Sequence, residues 1–468
     1  MTSITKGSAL KVAKDFMKFV DKSPSPYHVV HECKTRLLAA GFREVRSHHT
    51  DWQIKPNEKV FVTKNSSSIV ACAVGADWKP GNGFTMLGAH TDSPAPRVKV
   101  VSKRLKEGFV QVGTECYGGG NWVSWFDRDL KIAGRVLLRE NSGKISSKLI
   151  DVDRPVMRIP HCAIHLLRTI NEKFSVNKET ELIPIIANAV KAELEKKEAD
   201  VPDWEKRHHG ILMNMIAEEA GVSPESVVDF DLFLADHQPS AIGGANNDFI
   251  FAPRIDNLLN MYAGLEGFID SLDNDSLSKE ENIRMLVGYD NEEVGSRSAQ
   301  GAGSSFTEQV MRRLCYSSAN QLSFEESISK SMLLSADNCH AIHPNYPSKY
   351  ESKMKPTLEG GPVVSTSGNQ NFATTVVTST IIKEIAKNAG IDMQECMGRN
   401  DVPSGSTIGP VMGAKLGIKT ADVGASQLSM HSCREMCGVM SPEQCTFLYN
   451  NYFKNYPKVN SQVDDGFD

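Results

Sequence analysis

The sequence predicts an α/β fold, a sheet enclosed between two layers of helices, and three observations predict it. Short, continuous apolar runs such as FTMLGAH (84–90) and IRMLVGYD (283–290) read as strands buried on both faces, not as the alternating strands of a half-exposed sheet. Between such runs apolar residues recur at helical spacing, most clearly Leu258, Leu259, Tyr262, Leu265, Phe268, Ile269 and Leu272. The chain, at 468 residues, is longer than one core ordinarily fills, and its texture becomes β-rich and glycine-punctuated after residue 96. The expected architecture is a three-layer αβα domain formed by residues 1–96 and 244–468, interrupted by a β-rich insertion at 97–243.

Taken in order, amphipathic helices are expected at 8–21 and 26–40, the second introduced by the turn KSPSPYH. Strands follow at 59–63, 68–75 and 84–90. In the insertion, RVKVV, GFVQVGTECYGGGNWV and KIAGRVLLREN read as strands with glycine turns, and IHLLRTINEKF (164–174) as a helix. The Lys/Glu-rich stretch 191–209 reads as a solvated helix and loop. Alternating αβ units then return: the helix 256–272, the strand IRMLVGYD, the helix FTEQVMRRLC, the strand SMLLSAD, the helix TTVVTSTIIKEIAKNAG, the strand KTADVG and a last helix ending in LYNNYFKNYP.

Composition excludes several functions. Hydrophobic residues make up 40% and charged residues 23%, and the formal net charge is −5, so no basic field points to nucleic acid or an anionic membrane. No apolar run of membrane-spanning length and no signal-peptide pattern occurs. The ten cysteines form no C-x-x-C pair and read as reduced core thiols, and the expected location is the cytoplasm.

The chemistry is carried by polar residues where strands end. GAHTDSP places His90 and Asp92 two apart, so that in extended chain both project to one side and the carboxylate can orient the imidazole; alone, the pattern equally describes a surface turn. Asp256 in RIDN is either a helix N-cap or a carboxylate shared by two metals. Asp337 closes an apolar run, with His340 and His343 close behind; His431 follows a strand-like segment. In DNEEVGS, Glu292 and Glu293 stand side by side directly after a buried strand, a repulsive arrangement unless a cation compensates it. Ligands bind an open α/β sheet outside the carboxyl ends of its strands, where His90, Asp256, Glu293, Asp337 and His431 all fall. Two histidines and three carboxylates suit two divalent ions, with Glu292 left to accept a proton from activated water, and amide hydrolysis is the inferred reaction.

The motifs GAHTDSP, RIDN, DNEEVGS, SADNCHAIHPNY, RNDVPSGSTIGP and SMHSCREM, in this order, resemble those of the aspartyl aminopeptidases, dinuclear zinc exopeptidases. YGGGNWVSWFDRDL and RIPHCAIHLLRTINE extend the resemblance into the insertion. It implies that His90 and Asp337 bind one zinc, Glu293 and His431 the other, and that Asp256 bridges them. Glu292 becomes the general base, Asp92 the residue that orients His90, and His340 a substrate-side histidine. It further implies a peptide substrate with a free N-terminus, an insertion that builds dimers, a tetrahedral dodecamer, and a His165 that reaches a neighbouring subunit's site. The ligand set by itself would also accept Mn or Co. One departure stands out. Members selective for acidic N-terminal residues carry a lysine and a tyrosine where EGGPVVSTSGNQNFATT has Ser365 and Phe372, and no Lys or Arg lies between 361 and 382. A broader or neutral-residue aminopeptidase, a carboxypeptidase or deacylase, and a non-catalytic shell-forming homologue are the alternatives.

Overall fold

The computed structural model describes residues 5–49, 52, 54–189, 203–273 and 275–464. A nine-stranded mixed sheet organises the molecule. Its centre is four parallel strands, Ile283–Tyr289, Phe84–His90, Met332–Ala336 and Lys419–Gly424, in that spatial order. Because they run the same way, Tyr289, His90, Ala336 and Gly424 end along one edge of the sheet. Ser68–Val74 pairs antiparallel with Ile283–Tyr289, and Val363–Thr366 antiparallel with Lys419–Gly424.

Every residue of Ser68–Val74, Phe84–His90, Ile283–Tyr289 and Met332–Ala336 is buried. That is the continuous apolar pattern of a sheet covered twice. Alternate side chains enter two separate cores. Leu87, Ala89, Leu286 and Leu334 join a cluster with the helices Lys6–Asp21, Pro26–Ala39, Ile255–Asp270, Val376–Ala389 and Ser441–Asn460. Met86, Met285, Val287 and Leu333 join a second with Phe306–Cys315 and Ile408–Leu416. The result is the three-layer αβα arrangement. The first helix begins two residues before its apolar pattern because Thr5 caps it, its side chain accepting from Ser8 N–H within a capping box.

A six-stranded antiparallel sheet is built from strands between Ala95 and Asp236, in the order Ile145–Asp151, Leu130–Arg139, Val227–Asp236, Ala95–Lys106, Phe109–Tyr117, Ile185–Asn188. The helix Gly210–Ala220 covers it through Leu212, Met213 and Ile216. A five-stranded sheet, Ala241–Gly243, Phe249–Ala252, Glu435–Gly438, Ser426–Leu428 and Cys339–His340, lies between the other elements in sequence and carries residues of the site.

Three differences from the sequence reading have physical causes. The helix expected at 164–174 is absent; only a single 3-10 turn, Arg168–Asn171, forms. Phe174 meets the rings of Phe126 and His161, but Ile164, Leu166 and Leu167 are 42–82% exposed, so most of the apolar stripe a helix would need stays unpacked. The expected helix and loop at 191–209 fall largely outside the described residues; Asp203–Arg207 is one short helix. The helices Gly210–Ala220 and Ile408–Leu416 depart from the expectation, the first following directly on the polar stretch 191–209 and the second containing Gly409, Pro410 and Gly413. All ten cysteines are free, seven of them buried, as expected of core thiols. Among the described residues no helix is long and apolar enough to cross a membrane.

Phe268, fully buried, lies 5.5 Å from the Phe42 ring and 5.2 Å from that of Phe453, joining the helices Ile255–Asp270 and Ser441–Asn460 to the loop after Pro26–Ala39. Phe268→Ala is expected to cost about 3–5 kcal/mol, read as a lowered denaturation midpoint with the helical signal intact before the transition.

Candidate metal centre

The parallel edge delivers the site. His90 is the last residue of its strand, and Asp337 directly follows Met332–Ala336. After Ile283–Tyr289 the chain turns through Asn291, in the left-handed region (φ 60°), into the 3-10 turn Glu292–Val294. That turn brings the two glutamates back over the sheet edge. Asp256 stands at the start of Ile255–Asp270 with an extended backbone (φ −83°, ψ 109°), and its carboxylate faces His90 and His431, at 3.4 and 3.2 Å, instead of the helix amides. The N-cap reading of Asp256 is therefore set aside. His431, also left-handed (φ 66°), lies between Ser426–Leu428 and Glu435–Gly438.

These five residues, distant in sequence, converge. His90 Nε2 lies 3.4 Å from Asp256 Oδ1 and 3.6 Å from Asp337 Oδ1. His431 Nε2 lies 3.2 Å from Asp256 Oδ2 and 3.3 Å from Glu293 Oε2. The cluster thus contains two groups of possible ligand atoms, His90–Asp256–Asp337 and Asp256–Glu293–His431, each within 4.8 Å, with Asp256 common to both. Glu292 adjoins them, its Oε2 3.8 Å from His90 Nε2, and forms a further close group with His90 and Glu293.

The electrostatics are those of a cation site. Burial raises the pKa of Glu292 to about 8, and the neighbouring Asp337, Asp92 and Asp256 reinforce the rise against the pull of His90. Burial and then Asp256 hold Glu293 well above the carboxylate range, and burial and Asp256 likewise raise Asp337. Burial opposes charge on His431, but its bond to Asp256 prevails and lifts it to about 9. Burial would raise Asp256; His431 and His90 hold it down instead. Oδ1 of Asp256 and Oε1 of Glu293 are buried with no hydrogen-bond partner among the described residues. Buried, unsatisfied carboxylate oxygens are costly, and divalent cations are the ligands that answer both the surplus charge and the empty lone pairs. Imidazole and carboxylate donors in two sets that share one carboxylate fit two such ions.

Behind the cluster, polar contacts fix its members. Asp92, fully buried, is closest to His90 through its backbone carbonyl, 3.0 Å from Nδ1, with its carboxylate 3.5 Å away. The carboxylate accepts hydrogen bonds from the amides of Glu292 and Glu293, both at 3.1 Å. Asp92 thus secures the histidine and the glutamate turn together, a wider part than the orientation of His90 expected of it. Glu435 had no expected part. Its two oxygens accept from Asp256 N–H at 3.0 Å and His431 N–H at 2.7 Å. Its position four residues past His431, in SMHSCREM, was the available signal.

His340 ends the strand Cys339–His340 and is exposed; desolvation lowers its pKa, while Asp256 and His431 act on its charge in opposite senses, and no hydrogen bond or ion pair among the described residues joins its ring to the cluster. His165 is exposed on the turn near residue 165, and no hydrogen bond or ion pair among the described residues connects it to the cluster. Ser365 lies buried in Val363–Thr366 opposite Asp422 and Cys396, and Phe372 is half-buried in the loop that follows.

The chain matches the family described as aminopeptidase I zinc metalloprotease (M18) over residues 19–453. It is 45% identical to the aspartyl aminopeptidase of Caenorhabditis elegans, with 97% of each chain covered. It is 41% identical to aspartyl aminopeptidase 1 of Schizosaccharomyces pombe, covering 99% of this chain and 98% of that one. Among solved structures, Ape4 in its complex with Nbr1 superposes with a TM-score of 0.95 at 40% identity, covering 99% of this chain and 89% of that chain. The mApe1 dodecamer of Saccharomyces cerevisiae gives a TM-score of 0.85 at 28% identity, covering 98% of this chain and all of that one.

His431, raised to about 9, must lose its proton to bind a metal. Zinc affinity of the metal-free protein should therefore increase from pH 6 to pH 9, with proton release on binding. Calorimetric titration in buffers of different ionisation enthalpy measures that release; a binding heat independent of buffer would contradict it.

Proposed function

Because the chain belongs to the aminopeptidase I (M18) zinc metalloprotease family, we propose that its cluster at the parallel sheet edge is a dizinc centre that releases N-terminal aspartate or glutamate from peptides. In this reading His90 and Asp337 hold one zinc, Glu293 and His431 the other, and Asp256 bridges them. The observation that carries it is the pair of three-residue groups joined by Asp256, with buried carboxylate oxygens left unsatisfied. When bound, two zinc ions supply Lewis-acid polarisation of the scissile carbonyl and lower the pKa of water.

The chain's own residues do the rest. Glu292, close to both ion positions and made more basic by burial and its acidic neighbours, accepts the proton of the attacking water and returns it to the departing amine. Asp92, through its carbonyl and carboxylate, keeps His90 and the Glu292–Glu293 turn in register. His340 approaches the substrate from the five-stranded sheet. The substrate's free amino group finds a surplus of carboxylates around the ions, which favours an exopeptidase acting at the N-terminus.

Residues 1–96 and 244–468 form the catalytic domain in this proposal, and residues 97–243 the insertion through which two copies pair. The exposed Ile164, Leu166, Leu167 and Phe174 support an apolar contact with another copy. The dodecameric state of mApe1 supports a dodecamer here, with His165 completing a neighbouring subunit's site. The names of the curated relatives support acidic specificity. A broader preference is the second reading, favoured by one observation: Ser365 and Phe372 supply no cation, and the next one, Lys383, is paired with Glu395. Rates for peptides that differ only in an N-terminal Asp, Glu, Ala or Leu decide between them, and an N-acetylated peptide must be left intact by either.

Glu292→Gln is expected to retain two zinc ions per chain and lower kcat about 10²–10⁴-fold; unchanged turnover rejects its role as proton acceptor. His431→Ala should lose metal as well as activity, seen by elemental analysis of the purified protein.

A further inference from the structure

The stretch YGGGN, residues 117–121, closes the strand Phe109–Tyr117 of the six-stranded sheet, yet its contacts lie in the metal centre. Tyr117 Oη donates to Asp92 Oδ2 at 2.6 Å and accepts from Asn291 Nδ2 at 2.9 Å. Asp92 in turn accepts through its carbonyl from His90 Nδ1 at 3.0 Å. Two residues on, the Gly119 carbonyl accepts from His431 Nδ1 at 3.1 Å. Asn121 N–H donates to the His431 carbonyl at 2.8 Å, and its side chain to Ser432 Oγ at 3.2 Å. Between these points Gly118 holds φ +77°, and a Cβ there would stand 3.2 Å from Glu293 Cβ. A single strand end therefore touches the outward nitrogen of one histidine directly and reaches the other through Asp92.

We propose that Tyr117 and Gly119 are positioning residues for the two histidines, one on each side, so that the six-stranded sheet sets the geometry of both halves of the metal centre. The proposal rests on the ligand reading above. A histidine that donates its outer N–H to a fixed oxygen presents its inner nitrogen in one tautomer and one direction, and loss of such a partner costs about 10–100-fold in metal affinity or activity. Tyr117 acts at the end that contains His90. The Gly119 carbonyl acts at the end that contains His431, and the absence of a side chain at Gly118 lets the strand lie against Glu293. Asp92 Oδ2 also accepts from Glu293 N–H at 3.1 Å, so Tyr117 bears on both ions and most on the one held with His90, while the Gly119 carbonyl bears on the ion held with His431.

Tyr117→Phe removes the hydroxyl and keeps the ring, which meets Phe233 edge-on at 5.7 Å. Gly118→Ala puts a methyl against Glu293 in a backbone conformation that L residues rarely adopt. The full chain is titrated with zinc against a competing chelator, and the metal-free proteins are melted in parallel. Tyr117→Phe is expected to weaken the ion held with His90 about 10–100-fold and the other by less, lower kcat with KM little changed, and leave the metal-free melting temperature within a few degrees of wild type. Gly118→Ala is expected to weaken the other ion, and anomalous diffraction at limiting zinc identifies which position each variant empties. Wild-type constants for both ions in Tyr117→Phe overturn the proposal. So does equal weakening of both ions with a lowered metal-free melting temperature, which marks a merely structural part. A wild-type protein that binds fewer than two zinc ions overturns the ligand reading instead, and the two failures are therefore distinct.

Discussion

The structure depends on one electrostatic constraint: buried carboxylates crowd around two histidines at a single sheet edge. Asp92, Asp256, Glu293 and Glu435 are nearly or fully buried at the side chain, with Glu292 and Asp337 only slightly more open. Such a group cannot all be ionised without positive charge among them, and two imidazoles are too few. Burial and mutual repulsion therefore push several of these pKa values upward in the protein alone. Divalent cations relieve the repulsion, and a zinc metalloprotease family is where this chain belongs.

The αβα architecture makes the crowding possible without destroying the fold. Four parallel strands fix four chain reversals on one edge, and each reversal is anchored by a strand buried on both faces. Side chains at those reversals inherit the rigidity of the sheet. Backbone amides and carbonyls then absorb much of the polar cost: the Glu292 and Glu293 amides bond to Asp92, the Asp256 and His431 amides to Glu435. The arrangement sets the cluster where four buried strands end together and leaves exposed turns such as that near His165 at the periphery.

Much of this was legible in the chain, because strands buried on both faces are written as unbroken apolar runs. The strands 84–90 and 283–289, and the helix at 255–270, were read to within a residue or two. Their common place at strand ends predicts that His90, Asp256, Glu293, Asp337 and His431 converge, and in the structure they do meet. The helix expected at 164–174 shows the opposite case. Its periodicity is genuine, but a helix needs a surface for its whole apolar stripe, and here Phe174 is packed while Ile164, Leu166 and Leu167 stay exposed.

Local sequence thus determined the elements and the inventory of chemically able residues, since burial and hydrogen-bonding capacity are properties of each segment. What only the tertiary structure decided is which groups hold those residues in place. Glu435 is signalled only by its nearness to His431, and Tyr117 and Gly119 carry no signature of their bonds to Asp92 and His431, which span 25 and 312 residues of sequence. Directional bonds between distant segments are set by the register of packed layers, and no window of sequence records that register.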